Sequence, residues 1–306
     1  MSVSYLTGDD AFFLRGGHFL PTMSLYWENQ FADFNEFLRA TPGARYQDWQ
    51  PTKWASLSRF SDELSEVCEL GGRKSTVFEL GCGSATMLNQ LAAGGMTCVG
   101  VDSDKAALKM AALCRLNTGL QCDKLDFVER DLFDTEYILA TRGQADLVFS
   151  IGLIEHFDDI GQCRVWEAHR RLSKRWVLIG IPNYQSPLFL SFVEWARKNG
   201  RLYEEAHKEC SIDALKRIAP RSVRLVDGAH LFFGRSMYYQ RKSLALDSLY
   251  ARLKPTAIRL SGGEWREFPS MDFAAKDVEG LKNLERIAEA AERIALGFIS
   301  FVLYEV

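Results

Sequence analysis

The sequence lacks the long apolar runs and the excess of one charge sign that mark several classes of protein. No apolar stretch approaches the roughly 18 residues of a membrane-spanning helix, and the run at residues 11–14 is too short for a signal-peptide core. The 37 basic and 40 acidic side chains leave a net charge of −3, which gives no general attraction to nucleic acid or anionic membranes. We therefore expect a cytoplasmic protein that binds neither nucleic acid nor membranes.

Metal-binding and disulfide patterns are also missing. The seven cysteines are an odd number and form no C-x-x-C pair, which argues against a disulfide framework or a structural zinc site. The chain has only five histidines. His156, Asp158 and His207 carry ligand-type side chains, but their spacing does not require a metal ion. We expect no metal site.

Helical patterns dominate the first part of the chain. Residues 1–74 are rich in aromatic side chains, and apolar positions recur with helical spacing over residues 24–38 and 54–70. Thr41-Pro42-Gly43 ends the first pattern and Gly71-Gly72 ends the second. We interpret residues 1–74 as a helical segment that either packs on the main sheet or forms a lid over a substrate pocket.

From residue 75 onward, short β-prone runs alternate with helical runs. The predicted strands lie at residues 77–80, 97–101, 125–129, 145–151, 176–181, within 222–233 and at 298–304. Several are almost continuously apolar, as is typical of strands covered by helices on both faces of the sheet. The alternation predicts an α/β fold with a doubly wound, mostly parallel sheet of seven strands.

The sequence between the sixth and seventh predicted strands is longer than such a sheet needs. We assign residues 75–234 to the core, 235–296 to a helical insertion and 297–306 to the final core strand. Within the insertion, residues 275–296 form a long amphipathic pattern. The sequence leaves three roles open for this insertion. It closes over an acceptor, it forms the interface of a homodimer, or it simply packs on the core.

The main functional pattern is a glycine turn between the first predicted strand and a helix. Gly81 and Gly83 permit positive φ angles and a close approach of a ligand to the backbone, so this turn predicts a nucleotide-binding corner. Asp102 follows the next strand, 21 residues after Gly81, where a carboxylate accepts hydrogen bonds from ribose hydroxyls. A dinucleotide site of the G-x-G-x-x-G type would have a third glycine where Thr86 stands. Glu79 suits a cationic ligand without phosphate, such as S-adenosylmethionine.

Four segments in order resemble the class I S-adenosylmethionine-dependent methyltransferases. Glu79-Leu80-Gly81-Cys82-Gly83-Ser84-Ala85 resembles their E-x-G-x-G-x-G motif, with Ala85 in place of the last glycine. The segments V-G-V-D at 99–102, V-E-R-D-L at 128–132 and D-L-V-F-S-I-G-L-I-E-H-F at 146–157 resemble their second, third and fourth strand motifs. The resemblance covers residues 75–230. It implies a Rossmann-like sheet, S-adenosylmethionine as cofactor and an activity of the EC 2.1.1 type.

The resemblance also implies a set of donor-contacting residues. They are Glu79, Gly81, Cys82, Gly83, Asp102, Ser103, Asp131, Leu132, Ser150 and Ile151. Alternatives remain for three of the acidic side chains. Asp102 is also a good helix N-cap, and Asp131 competes with Asp134 for the adenine amino group or caps a loop. The alternative role of Glu79 is only to orient backbone groups near the methionine amine.

Methyl transfer needs alignment and exclusion of water more than a fixed catalytic residue. An oxygen or carbon acceptor would need a general base, for which His156, Glu155 and His207 are the candidates. His207 lies in a loop that approaches the substrate in related enzymes, although a solvated loop is the alternative. The I-E-H-F ending indicates a small-molecule acceptor, as in specialised-metabolite biosynthesis. The rival hypotheses are an inactive donor-binding scaffold subunit and an NAD-dependent oxidoreductase.

Overall fold

The structure is a computed structural model. It describes residues 21–71, 74–120, 123–186, 211–218, 224–231, 278–287 and 297–306, together with positions 189, 190, 193 and 293. The predicted helices at 188–199 and 236–253 lie wholly or mostly outside the described residues, and so does His207.

Three helices precede the sheet. Helix α1 spans Pro21–Ala40, the short α2 spans Tyr46–Trp49, and α3 spans Pro51–Val67. Proline at the first position of α3 suits a helix start, because its missing N–H would have no intrahelical partner there. The predicted helical character of this segment is confirmed, and α2 is an element that the sequence pattern did not reveal.

Seven strands form one mixed sheet. They are β1 (Thr76–Leu80), β2 (Thr97–Asp102), β3 (Leu125–Glu129), β4 (Ala145–Ile151), β5 (Ser173–Pro182), β6 (Arg224–Leu231) and β7 (Ile299–Glu305). Their order is β3-β2-β1-β4-β5-β7-β6. Strands β1 to β5 are parallel, and β7 runs antiparallel to both β5 and β6. The order reverses at β1 and β4, so a switch point lies at their carboxyl ends, where such sheets bind ligands.

Helices cover both faces of the sheet. The remaining helices are α4 (Thr86–Ala93), α5 (Lys105–Thr118), α6 (Thr135–Ala140), a 3₁₀ turn at Ile154–His156, α7 (Asp159–Leu172), α8 (Ile212–Ile218) and α9 (Val278–Ile287). One buried cluster joins α3 and α4 to the sheet, and another joins α7 and α8 to the opposite face. The predicted α/β fold with a doubly wound, mostly parallel sheet is confirmed.

The N-terminal helices pack on the core rather than standing apart from it. Aromatic side chains of α1 and α2, among them Phe34, Tyr46 and Trp49, form a buried cluster with residues of α5. Helix α9 contacts α3, where Lys282 Nζ lies 2.7 Å from Asp62 Oδ2. The described part of the insertion therefore packs against the N-terminal helices.

Candidate functional site

The glycine turn after β1 has the backbone geometry that the sequence predicts. Gly81 has a φ of +64°, and a Cβ atom added there would lie 2.8 Å from Leu153 Cδ1. The amides of Gly81 and Cys82 both donate to the carbonyl of Val101, at 2.8 and 3.2 Å. Glycine at position 81 is thus required by the turn and by the residues that follow β4, which approach this corner.

Gly83 lies beneath a tryptophan of the first helix. Its φ is +50°, and an added Cβ would lie 2.5 Å from Trp27 Cζ2. The Trp27 side chain is buried. Helix α1 also approaches the start of α5, since Ser24 Oγ lies 3.5 Å from Asp104 Oδ1. The N-terminal helices therefore cover the glycine turn directly.

Asp102 is joined to the glycine turn by its carboxylate. Oδ2 accepts from the amide of Gly83 at 3.0 Å, and Oδ1 accepts from the amide of Asp104 at 2.9 Å. Burial raises the pKa of Asp102 to about 6, although these backbone donors oppose the shift. Asp104, and not Asp102, is the N-cap of α5, because its side chain accepts from Ala106 and Ala107. The helix-cap alternative for Asp102 is wrong.

Glu79 lies at the centre of the sheet, paired with Gly100 of β2 and Phe149 of β4. Its side chain is 4% exposed, and its Oε2 has no hydrogen-bond partner among the described residues. Burial raises the pKa of Glu79 well above its ordinary value, and the nearby Lys53 ammonium opposes that rise. A buried carboxylate oxygen without a donor is costly unless a ligand supplies one.

Ala85 occupies the position of the last glycine of the motif. Its φ of 51° and ψ of 34° are left-handed, a conformation that usually favours glycine. The next residue, Thr86, begins α4 and donates through Oγ1 to the hydroxyl of Tyr46 at 2.9 Å. The structure therefore places Thr86 in contact with the N-terminal helices.

The remaining predicted donor-contacting residues differ in accessibility. Ser103 is exposed, and Leu132 and Ile151 are half-buried. The Ser150 hydroxyl is fully buried without a partner among the described residues. Cys82 is buried, and its Sγ would lie 2.9 Å from a Cβ added to Gly100 of β2.

The two aspartates after β3 both make local hydrogen bonds. Asp131 is exposed, and its Oδ1 accepts from the amide of Phe133 at 2.7 Å. Asp134 is the N-cap of α6, since its Oδ1 accepts from the amide of Tyr137 at 3.0 Å. Asp131 therefore caps its loop through this hydrogen bond, and its exposed carboxylate is also accessible to a ligand.

The segment after β4 carries the two catalytic candidates that the structure describes. Glu155 is 3% exposed, and its Oε2 has no partner among the described residues. Burial raises the pKa of Glu155 to about 8, so its carboxyl group holds a proton at neutral pH. His156 is half-buried in the same 3₁₀ turn. Leu153, which immediately precedes this turn, contacts Gly81 and so ties the turn to the corner.

Three residues of the N-terminal helices that contact the turn were not among the predicted site residues. They are Trp27, Tyr46 and Lys53, whose Nζ lies 3.5 Å from Ser84 Oγ. The aromatic richness of residues 1–74 was the only sequence signal for two of them. No local motif singled out Lys53, because its role depends on a contact between residues 31 positions apart.

Metal-binding clusters and membrane-spanning helices are both missing from the described residues. Within the described ranges, no three or more His, Cys, Asp and Glu side chains are grouped to hold a metal ion. None of the helices in the part of the chain described here has the length and hydropathy needed to cross a bilayer.

Comparison with known proteins gives one family match and a set of structural similarities. Residues 78–174 match the family model described as "Methyltransferase domain". No curated protein sequence matches the chain. The matched segment runs from β1 to the start of β5 and includes the glycine turn, Asp102 and the segment after β4.

Solved structures of methyltransferases are similar to the chain at low identity. Magnesium protoporphyrin IX methyltransferase from Synechocystis PCC 6803 is 15% identical, with a TM-score of 0.48 over 68% of this chain and 92% of that one. A SAM-dependent methyltransferase from Archaeoglobus fulgidus is 16% identical, with a TM-score of 0.44 over 82% and 95%. A sarcosine dimethylglycine methyltransferase from Galdieria sulphuraria is 15% identical, with a TM-score of 0.47 over 81% and 84%.

Proposed function

We propose that this chain, which carries a class I S-adenosylmethionine-dependent methyltransferase domain at residues 78–174, methylates a small-molecule acceptor. The observation that carries the proposal is the corner formed by Glu79, Gly81, Gly83 and Asp102 at the switch point of the sheet. It combines a tight glycine turn with two acidic side chains and leaves one buried Glu79 oxygen without a donor among the residues that the structure describes.

The corner fits a cationic nucleoside better than a dinucleotide. Two carboxyl groups near the turn would repel a pyrophosphate, whereas they suit ribose hydroxyls and an ammonium group. The position of a third glycine is taken by Thr86, whose side chain is already hydrogen-bonded to Tyr46. S-adenosylmethionine supplies a methyl group on a sulfonium centre, which is electrophilic without further activation.

The residues of this chain would bind and enclose the donor. We assign Asp102 to the ribose hydroxyls and Glu79 to the ammonium group, while the left-handed turn at Gly81 and Gly83 permits close approach to the backbone. Trp27 and Tyr46 cover the turn from the N-terminal side. We propose that residues 1–74 act as a lid that excludes water, while the core extends over residues 75–234 and 297–306.

The acceptor side of the site lies near the end of β4. His156 is half-buried there, whereas Glu155 is buried and keeps its proton at neutral pH. We therefore favour His156 over Glu155 as the proton acceptor, should the acceptor atom need a base. The covered corner and the balanced charge of the chain support a small molecule rather than nucleic acid as the acceptor.

Calorimetric titration with S-adenosylmethionine, S-adenosylhomocysteine and NAD tests the proposal. We expect the first two to bind and NAD to bind far more weakly. Asp102→Asn should weaken binding of S-adenosylhomocysteine by about tenfold or more, because a charged acceptor of two hydroxyl donors is lost. In the wild type, binding should weaken as the pH falls below about 6, where Asp102 takes up a proton.

A transfer experiment then addresses the acceptor class. The protein is incubated with cell extract and S-adenosylmethionine that carries a labelled methyl group. Label in the low-molecular-weight fraction would support a small-molecule acceptor, and label in protein or nucleic acid would contradict it. Tighter binding of NAD than of S-adenosylmethionine would overturn the proposed function itself.

A further inference from the structure

The donor loop is contacted by a lysine from outside the matched domain. Lys53 lies in the first turn of α3, and its Nζ is 3.5 Å from the hydroxyl oxygen of Ser84. Ser84 stands between Gly83 and Ala85 and is buried. The lysine is half-buried, so its ammonium group lies at the edge of the corner rather than in bulk solvent.

A chain of hydroxyl groups holds this lysine contact in place. Thr86 Oγ1 donates to Tyr46 at 2.9 Å, and the Tyr46 hydroxyl donates to Gln50 Oε1 at 3.0 Å. Since Thr86 has only one hydroxyl proton, Ser84 must be the donor in its 2.9 Å bond to Thr86. The Ser84 oxygen then accepts from Lys53, so all four hydrogen bonds run in one direction.

A basic and an acidic side chain therefore both lie near the glycine turn. Lys53 is close enough to Glu79 to stabilise its charged form, which opposes the large effect of burial on that carboxyl group. Glu79 also presents a buried oxygen without a partner among the described residues. An ammonium group and a carboxyl group near one turn are the complement of a zwitterion once a cationic ligand favours the ionised form of the carboxyl group.

Resting on the proposed function, we propose that Lys53 binds the carboxylate of the amino-acid end of the donor, opposite the ammonium group that Glu79 binds. The N-terminal helices would then form part of the donor site and not only a cover for the acceptor. Helix α3 brings the positive charge, and the matched domain brings the negative one. Binding of the donor would order both units together.

Ligands that lack the carboxylate allow a sharp test by calorimetry. Lys53→Met keeps most of the apolar stem and removes the charge. It should weaken binding of S-adenosylmethionine and S-adenosylhomocysteine by about tenfold to a hundredfold, the loss expected for a charged hydrogen bond. Decarboxylated S-adenosylmethionine should bind this variant as well as it binds the wild type, or better, because a repelling ammonium is gone.

Two further variants separate charge from folding. Lys53→Arg keeps the positive charge and should recover part of the affinity for S-adenosylhomocysteine. Lys109→Met is the control for net charge, because it gives the chain the same net charge as Lys53→Met. It removes an exposed lysine of α5, whose charge is screened by solvent, and should change no affinity by more than about twofold. Circular dichroism of all variants confirms that the fold is retained.

The outcomes distinguish the two proposals. If wild-type protein binds both ligands and Lys53→Met loses affinity equally for the decarboxylated one, Lys53 acts through the fold and the inference is wrong. Unchanged affinity of Lys53→Met for S-adenosylhomocysteine would overturn it as well, while leaving the proposed function intact. A wild type that binds neither S-adenosylmethionine nor S-adenosylhomocysteine would overturn both proposals.

Discussion

Two buried glutamates, one in β1 and one in the 3₁₀ turn that follows β4, have nearly the same burial but different surroundings. Glu79 and Glu155 are 4% and 3% exposed, and each has one carboxyl oxygen without a partner among the described residues. Burial raises the pKa of both groups. The Lys53 ammonium opposes the rise in the pKa of Glu79 and the Asp102 carboxylate adds to it, whereas among the described residues the rise for Glu155 is opposed by its own backbone amide.

This difference separates an acid that suits ligand binding, Glu79, from an acid that suits the protein interior, Glu155. Burial outweighs the effect of Lys53 on Glu79 in the free protein, so a cationic ligand would complete the ionisation of this acid, and Glu79 therefore suits a ligand site. A buried carboxyl group without such a neighbour is more stable as the neutral acid, so Glu155 suits the interior. Burial alone does not identify a functional acid, and the neighbouring charges make the distinction.

Replacing each glutamate by glutamine should give the largest difference between the two acids, measured as a change in ligand affinity. Glu79→Gln removes the charge opposite the donor ammonium and should weaken S-adenosylhomocysteine binding by about tenfold to a hundredfold. Glu155→Gln replaces a group that is already neutral and should change the affinity by no more than about twofold. Calorimetry at neutral pH measures both. Equal losses of affinity in the two variants would show that Glu79 and Glu155 do not differ in their contribution to ligand binding.

The pH dependence of the free energy of unfolding should show whether Glu155 is neutral in the folded protein. The folded protein keeps a proton on this group up to about pH 8, while its ordinary pKa is 4.5. Stability should therefore fall as the pH rises between these values, with a slope of up to about 1.4 kcal/mol per pH unit from this group. Urea denaturation of wild type and Glu155→Gln from pH 5 to pH 8 provides the measurement.

In Glu155→Gln this contribution should disappear, which makes the variant's curve flatter than that of the wild type. Its stability relative to the wild type should thus be greatest at the alkaline end. Parallel curves would contradict the assignment of a neutral Glu155. Glu79→Gln serves as the comparison, because burial also raises the pKa of Glu79 while the Lys53 ammonium opposes that rise.

The smallest effect concerns the hydroxyl chain that joins the N-terminal helices to the donor loop. Tyr46→Phe removes the acceptor of Thr86 and the donor to Gln50, and should lower the free energy of unfolding by about 1 kcal/mol. Tyr137→Phe in α6 is the matched control and should cost less. Denaturation of both variants decides the matter. An unchanged stability in Tyr46→Phe would show that the chain does not hold the helices in place.

The glycine corner could be predicted from the sequence because its determinants are local. Left-handed turns at Gly81 and Gly83 and an acid after the next strand follow from residues close in the chain and from the rules of parallel sheets. The same rules located the strands. They missed α6, since its six residues are too short for a helical period, although its N-cap Asp134 was a usable signal.

The helical cover could not be assigned in the same way. Aromatic periodicity indicates that residues 24–38 form a helix with a buried face, but it does not say what that face meets. The position of Trp27 over Gly83 and of Lys53 beside Ser84 depends on how α1 and α3 dock on the sheet. Docking is a balance of many packing contacts, which no short motif encodes.

The sequence by itself determined the α/β fold, the glycine turn and the placement of Asp102, because backbone conformation and strand order obey local and topological rules. Only the tertiary structure decided which buried acid lies close enough to a lysine for its pKa to be affected. Electrostatic effects on Glu79 and Glu155 depend on distances between residues far apart in the chain. The tertiary structure also showed that the glycine turn lies beneath the N-terminal helices.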